Sequence, residues 1–263
     1  MRGMPSGQYV AGCSVLHRLD ARAKIICLFL LLASIVAALT LPGAALLLGV
    51  TAAIFGLSGL PPRTVFNSLA RLWPFFLVIF LMNALFFDGE NTLWEWWILK
   101  ISTAGMAQGA SVALRVALLV TLSQVLTCTT APMEITNALE SLMKPLKLLR
   151  IPVEDIAMII SVAIQFVPTL IEEAEMIRKA QIARGARFES KKLLEKAESV
   201  APLVIPVFLA AFRRADELSV AMEARGYRGA RNRTKKAKER MNPADTAAML
   251  LCAAVWAARL RLL

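Results

Sequence analysis

One eight-residue pattern occurs twice in this chain. Ala180-Gln181-Ile182-Ala183-Arg184-Gly185-Ala186-Arg187 returns 41 residues later as Ala221-Met222-Glu223-Ala224-Arg225-Gly226-Tyr227-Arg228, so both copies read Ala-x-x-Ala-Arg-Gly-x-Arg. An Arg guanidinium is a planar, permanently charged fork that pairs with a carboxylate through two parallel hydrogen bonds. Small Ala residues let another surface approach closely. Gly ends a helix by taking the left-handed backbone cheaply. A single Ala-Arg-Gly would be an ordinary helix terminus, with Arg in the last turn complementing the helix dipole. Capping alone does not demand Arg, small Ala and a second basic residue beyond the Gly, twice. The repeat therefore reads as two docking ends, Ala183-Arg184-Gly185 and Ala224-Arg225-Gly226, with Arg187 and Arg228 as secondary contacts.

Little else in the chain suits covalent chemistry. Cys13, Cys27, Cys128 and Cys252 lie far apart in sequence, and no pair has metal-ligand or redox spacing. They read as small buried hydrophobes. His17 is the sole histidine and stands beside Arg18, which leaves no metal site. With no clustered carboxylates inside apolar runs and no nucleophile motif, catalysis is not expected. No G-x-x-x-x-G-K-[ST] loop occurs, so the chain cannot cradle ATP in that way and must borrow its energy. No cofactor or metal is expected on this chain.

The elements that position the repeat are largely apolar. Hydrophobic residues make up 57 % of the 263 residues and charged ones 19 %, with a formal net charge of +11. Mean hydropathy is +0.60. That combination fits a polytopic membrane protein with a basic cytoplasmic face. Five apolar runs stand out: 24–41, 44–60, 72–87, 103–127 and 244–258. The mixed first 23 residues lack a cleavable signal, so the first run should remain in the bilayer. Arg18, Arg22 and Lys24 precede the first run; Pro61-Pro62 ends the second, and the loop after it holds Arg63 and Arg71. Trp94, Trp96 and Trp97 cluster after the third. Basic flanks belong inside and Trp at an interface, which places the N-terminus and residues 130–243 in the cytoplasm and the C-terminus outside. Arg259 and Arg261 sit awkwardly with that last step.

Residues 130–243 carry two long helix patterns, Pro152 to Gly185 and about Ser190 to Gly226, each half apolar and half charged. Pro168 in the first and Pro202 and Pro206 in the second should bend them. The apolar stretches, Ile156 to Ile171 and Val200 to Phe212, fall short of the ~20 residues that a span needs. The basic stretch Tyr227 to Arg240 lacks interleaved aromatics and suits anionic headgroups, not nucleic acid. In the fourth run, Gly105, Gly109, Ala113 and Ala117 fall four apart, a stripe for close helix packing within the subunit or against a membrane partner. Arg115 lies in the same run, where charge needs a partner or a wet cavity. The expected fold is an all-α integral membrane protein with about five transmembrane helices. Four spans fall in 1–129, a cytoplasmic region of long bent helices in 130–243, and the last span in 244–263.

Two Ala-Arg-Gly motifs ending two long cytoplasmic helices resemble the transmembrane coupling (T) component of energy-coupling factor transporters, a branch of the ABC superfamily. Further stretches are similar to that family in the same order: Leu16 to Lys24, Thr129 to Ile135, Pro145-Leu146-Lys147, Phe166 to Leu170, and Tyr227 after Gly226. Gln165 departs, since members often carry Arg there. The resemblance implies a non-catalytic subunit in the cell membrane of a prokaryote. It implies two partner ATPases that carry ATP-Mg, and a substrate-binding S component in the bilayer. Arg184 and Arg225 would each sit in a groove of one ATPase. ATP-driven movement would pass through the coupling helices to the S component and release a vitamin or trace metal inside.

Two other classes remain as rivals. A self-sufficient secondary transporter or channel would need ionisable groups at mid-membrane in several spans, and only Arg115 qualifies. Within the family, a dedicated cobalt or nickel importer subunit competes with a module shared among vitamin-specific S components. The overall pattern is closer to the shared type.

Overall fold

A run of apolar residues becomes a membrane helix because backbone polar groups in hydrocarbon must be satisfied within the segment. A computed structural model of the chain describes residues 10, 12, 14–37, 40–86, 92–96, 99–145, 152–186, 193–229 and 241–261. Their helices are α1 (Val15–Arg18), α2 (Ala21–Val36), α3 (Leu41–Ser58), α4 (Pro62–Arg71), α5 (Trp73–Phe86), α6 (Thr103–Thr129), α7 (Pro132–Leu142), α8 (Val153–Ala183), α9 (Leu193–Ala224) and α10 (Pro243–Arg261). All five apolar runs are helical, as α2, α3, α5, α6 and α10. The all-α expectation holds, apart from one antiparallel hairpin between α5 and α6. Its strands β1 (Thr92–Trp96) and β2 (Leu99–Ser102) pair Glu95 with Lys100 and Trp96 with Leu99. It occupies the stretch the sequence marks as the Trp-rich loop; Trp97 lies outside the described residues.

Two compact units make up the chain, residues 1–138 with 239–263 and residues 139–238. In the first, α5 packs on α6 and α10 on α2 as the most extensive helix pairs. Its core joins Leu31 and Ile35 of α2, Leu47 of α3, and Leu118 and Leu122 of α6, with Val255 of α10 against them. The second unit is built on α8 packed against α9.

Local signals set the breaks. The Asp20 carboxylate accepts from Arg22 N at 2.9 Å and so caps α2. Gly59, at φ 65°, ends α3. Pro61-Pro62 does end the second run, but Pro62 also opens α4, where a missing N–H costs nothing. The stretch read from sequence as a loop with Arg63 and Arg71 is therefore a helix. Pro74 cannot donate to the Ala70 carbonyl, and the chain turns by 54° between α4 and α5.

By length and composition, α6 and α8 can each cross a bilayer, and the bent α4–α5 pair is either one broken span, a third crossing, or a re-entrant loop; α3 is apolar but shorter. For α8 this differs from the sequence reading. Its apolar stretch looked too short because it was bounded at Ile156 and Ile171. As one continuous helix of 31 residues it has a span's length and hydropathy.

A polar knot holds one end of the first unit. Asp245, 2 % exposed, accepts from Asp20 N at 2.9 Å and from Asn242 N at 2.7 Å. Lys24 is also buried; its Nζ donates to the Thr129 carbonyl at 3.1 Å at the end of α6. At the far end of α10, buried Arg259 donates through Nη1 to Thr40 Oγ1 at 3.0 Å and lies over Gly43, where a Cβ would strike the guanidinium. Asp20 faces Asp245 and Thr40 faces Arg259, so α10 runs parallel to α2. Arg259 is thus a contact between helices, and its charge says nothing about topology.

Candidate docking surface

Both copies of the repeat end their helices in the same way. After α8, Gly185 takes φ 92°, its N–H donates to the Ile182 carbonyl at 2.9 Å, and Ala186 N donates to Gln181 at 3.0 Å. After α9, Gly226 takes φ 75°, its N–H donates to Glu223 at 2.8 Å, and Tyr227 N donates to Met222 at 3.0 Å. This paired set of bonds is the Schellman closure, which satisfies carbonyls that the last turn would leave open. The capping role of the Gly residues is therefore real, and it is the frame on which each Arg is presented.

What each frame presents is open. Ala183, Arg184 and Gly185 are exposed at the first end, and Ala224, Arg225, Gly226 and Arg228 at the second. Among the described residues neither the Arg184 nor the Arg225 guanidinium has a hydrogen bond or ion pair. A Cβ built on Gly185 or Gly226 would meet nothing within 4 Å. Each end is a permanent cation on a small-residue surface, and a guanidinium can pair with a carboxylate through two parallel hydrogen bonds. Arg187 and most of the basic stretch up to Arg240 lie outside the described residues.

The two ends are far apart. Tyr227 donates its hydroxyl to Met158 Sδ at 2.8 Å, joining the end of α9 to the start of α8. Arg214 Nη2 of α9 meets Glu173 Oε2 of α8 at 3.2 Å. These contacts run in opposite chain order, so the helices are antiparallel. With 31 and 32 residues in α8 and α9, Arg184 and Arg225 stand at opposite ends of the pair, roughly 45 Å apart if the helices were straight. Sequence separation hid this arrangement: Tyr227 and Met158 are 69 residues apart. Both helices continue through Pro168, Pro202 and Pro206.

Between the ends, α8 and α9 leave apolar side chains uncovered. Ile159 is 68 % exposed, Val167 50 %, Ile205 60 %, Phe208 60 % and Phe212 64 %. Water does not favour such a surface, which calls for a bilayer or an apolar partner.

The small-residue stripe of α6 is partly occupied within the chain. A Cβ on Gly105 would come within 2.8 Å of the Asn83 carbonyl, and one on Gly109 within 3.1 Å of the Phe80 carbonyl. Both glycines admit α5. Ala113 and Ala117 are half-buried. Arg115 Nε is buried with no hydrogen-bond partner among the described residues. Two distant stretches singled out in the sequence, Leu16 to Lys24 and Thr129 to Ile135, meet through the bond from Lys24 to Thr129.

Known proteins are similar to this chain in sequence along almost its whole length. The family model for the cobalt transport protein CbiQ matches residues 12–236. A protein of Ruminiclostridium cellulolyticum, named energy-coupling factor transporter transmembrane protein EcfT, is 40 % identical over 247 residues, covering 93 % of this chain and 91 % of the relative. The protein of that name in Bacillus subtilis is 38 % identical over 250 residues, covering 95 % and 94 %. That of Limosilactobacillus fermentum is 40 % identical over 230 residues, covering 87 % and 86 %.

Proposed function

The chain belongs to the CbiQ family, with energy-coupling factor transmembrane proteins among its relatives, and from that premise we propose that it is the non-catalytic coupling subunit of such an importer. In this reading two ATP-binding-cassette ATPases, which carry the ATP-Mg, dock at Arg184 and Arg225. An S component in the bilayer holds the substrate, a vitamin or trace metal. The observation that carries the reading is the duplicate presentation of an exposed Arg on an identical helix closure at each end of one antiparallel pair. Two similar ATPases need two similar, well-separated sockets. When they close on ATP the distance between the sockets changes, and a stiff helix pair passes that change on. The uncovered apolar face of α8 and α9 is where the pair would meet the S component or lipid. The docking ends, with residues 130–243, belong to the cytoplasm, where ATP is.

A module shared among S components is favoured over one dedicated to cobalt or nickel. The relatives cited carry the general energy-coupling name, although the family model is named for cobalt.

Affinity co-purification of the detergent-extracted chain with its two ATPases tests the docking. Wild type should carry both. Removing a desolvated interfacial Arg costs on the order of 2 kcal/mol or more. Arg184→Ala and Arg225→Ala should each weaken retention, and the double variant should lose both ATPases while staying monodisperse. Equal retention by the double variant, with uptake intact, would reduce the motifs to helix caps. Absence of any ATPase from wild type would overturn the coupling role itself.

A further inference from the structure

Thiol chemistry is left unused by the coupling role, and the fold brings together two cysteines that the sequence holds far apart. Cys27 follows Asp20 by seven residues on α2, and Cys252 follows Asp245 by seven on α10. Asp20 and Asp245 are already joined by a 2.9 Å hydrogen bond, and the two helices run parallel. Seven residues are nearly two helical turns, so each helix returns to the same face about 10 Å further on. The geometry therefore sets Cys27 opposite Cys252, on facing sides of the same helix pair. Both are free and partly exposed. Both also line one apolar cavity of about 360 Å³, walled by α2, α3, α6 and α10, with Lys24 at its edge. A small, neutral oxidant can enter such a cavity, which a charged reagent would avoid.

We propose that Cys27 and Cys252 are a peroxide-sensitive thiol pair that closes into a disulfide between α2 and α10. The thiolate of one attacks a peroxide oxygen; an S–O bond forms, the O–O bond breaks, and the leaving hydroxide takes up a proton. The second thiol, losing its proton, attacks the resulting sulfenic sulfur; the S–S bond forms, the S–O bond breaks, and the released hydroxide takes up that proton. Two thiols and one hydrogen peroxide become one disulfide and two waters. The sulfurs lose two electrons and the peroxide oxygens gain them. Closure fastens α10 to α2 beyond the polar knot, and a thiol reductant reopens it.

The test uses the full chain in membrane vesicles exposed to hydrogen peroxide, quenched with catalase, denatured and labelled with a polyethylene-glycol maleimide. The chain has four cysteines. Wild type should fall from four labelled thiols to two and return to four with dithiothreitol. Cys27→Ala and Cys252→Ala should each keep all three of their thiols under the same treatment. Peptide mass spectrometry should find the 27–252 cross-link. The proposal is overturned if oxidised wild type keeps four thiols. It is equally overturned if both variants still lose a pair, or if dithiothreitol fails to restore the count. The wild-type measurement needs no substitution, so a poorly folding variant cannot mask the answer.

Discussion

At Gly185 and Gly226 a left-handed backbone is obligatory, and the neighbouring Arg side chains depend on it for their direction. An Ala forced into that conformation costs about 1–2 kcal/mol. Gly185→Ala and Gly226→Ala should therefore loosen their helix ends, speeding hydrogen exchange at the Ala186 and Tyr227 amides. ATPase retention should weaken with no change to the guanidinium. Asn in place of either Gly, which tolerates the left-handed region better, should restore much of the loss. These ends were legible in the sequence because every bond in the closure lies within six residues. The cysteine pair was not, since its spacing is set by how two distant helices dock. Nor was the exposure of Arg184 and Arg225 legible as such, because composition does not reveal what a side chain lacks.

Among the elements, helix content was readable from apolar runs and the small-residue stripe, but boundaries moved where Pro had two meanings. Pro62 stops one helix and starts another, and α4 was read as a loop for that reason. The stripe gives a sharp contrast. Gly105→Ala places a Cβ against the Asn83 carbonyl at 2.8 Å, with backbone on the receiving side. Such overpacking should cost about 1–3 kcal/mol and lower the melting temperature of the purified chain. Gly49→Ala, in α3 with nothing within 4 Å of the new Cβ, should be neutral or slightly stabilising. Equal effects at both positions would mean that α5 does not approach α6 as described. The placement of α8 has its own check. If it lies at the cytoplasmic face, single cysteines placed at exposed Asp155 and Arg184 in a chain stripped of its own cysteines should both react with a membrane-impermeant maleimide added to inside-out vesicles. A crossing helix would leave only one end accessible.

For the whole molecule, the first unit is closed by residues from both ends of the sequence. Asp245 accepts two backbone N–H groups, from Asp20 and Asn242. Asp245→Ala would leave Asp20 N, in a part-buried setting, without that acceptor and should cost about 1–3 kcal/mol. Limited proteolysis should then release a fragment containing α10 sooner than from wild type. Unchanged digestion would mean that the Asp245 bonds do not hold α10 in place. No periodicity could have announced this closure, since 225 residues separate the two aspartates. That separation has a consequence in time. At ~5–20 residues per second, a ribosome needs roughly 10–45 s between making Asp20 and making Asp245. Through that interval α2 waits with its partner unmade, its knot untied and its cavity open along one wall. A message cut short before α10 would leave that wall permanently missing. The cell's membrane proteases would then meet a visible difference between unfinished and finished copies.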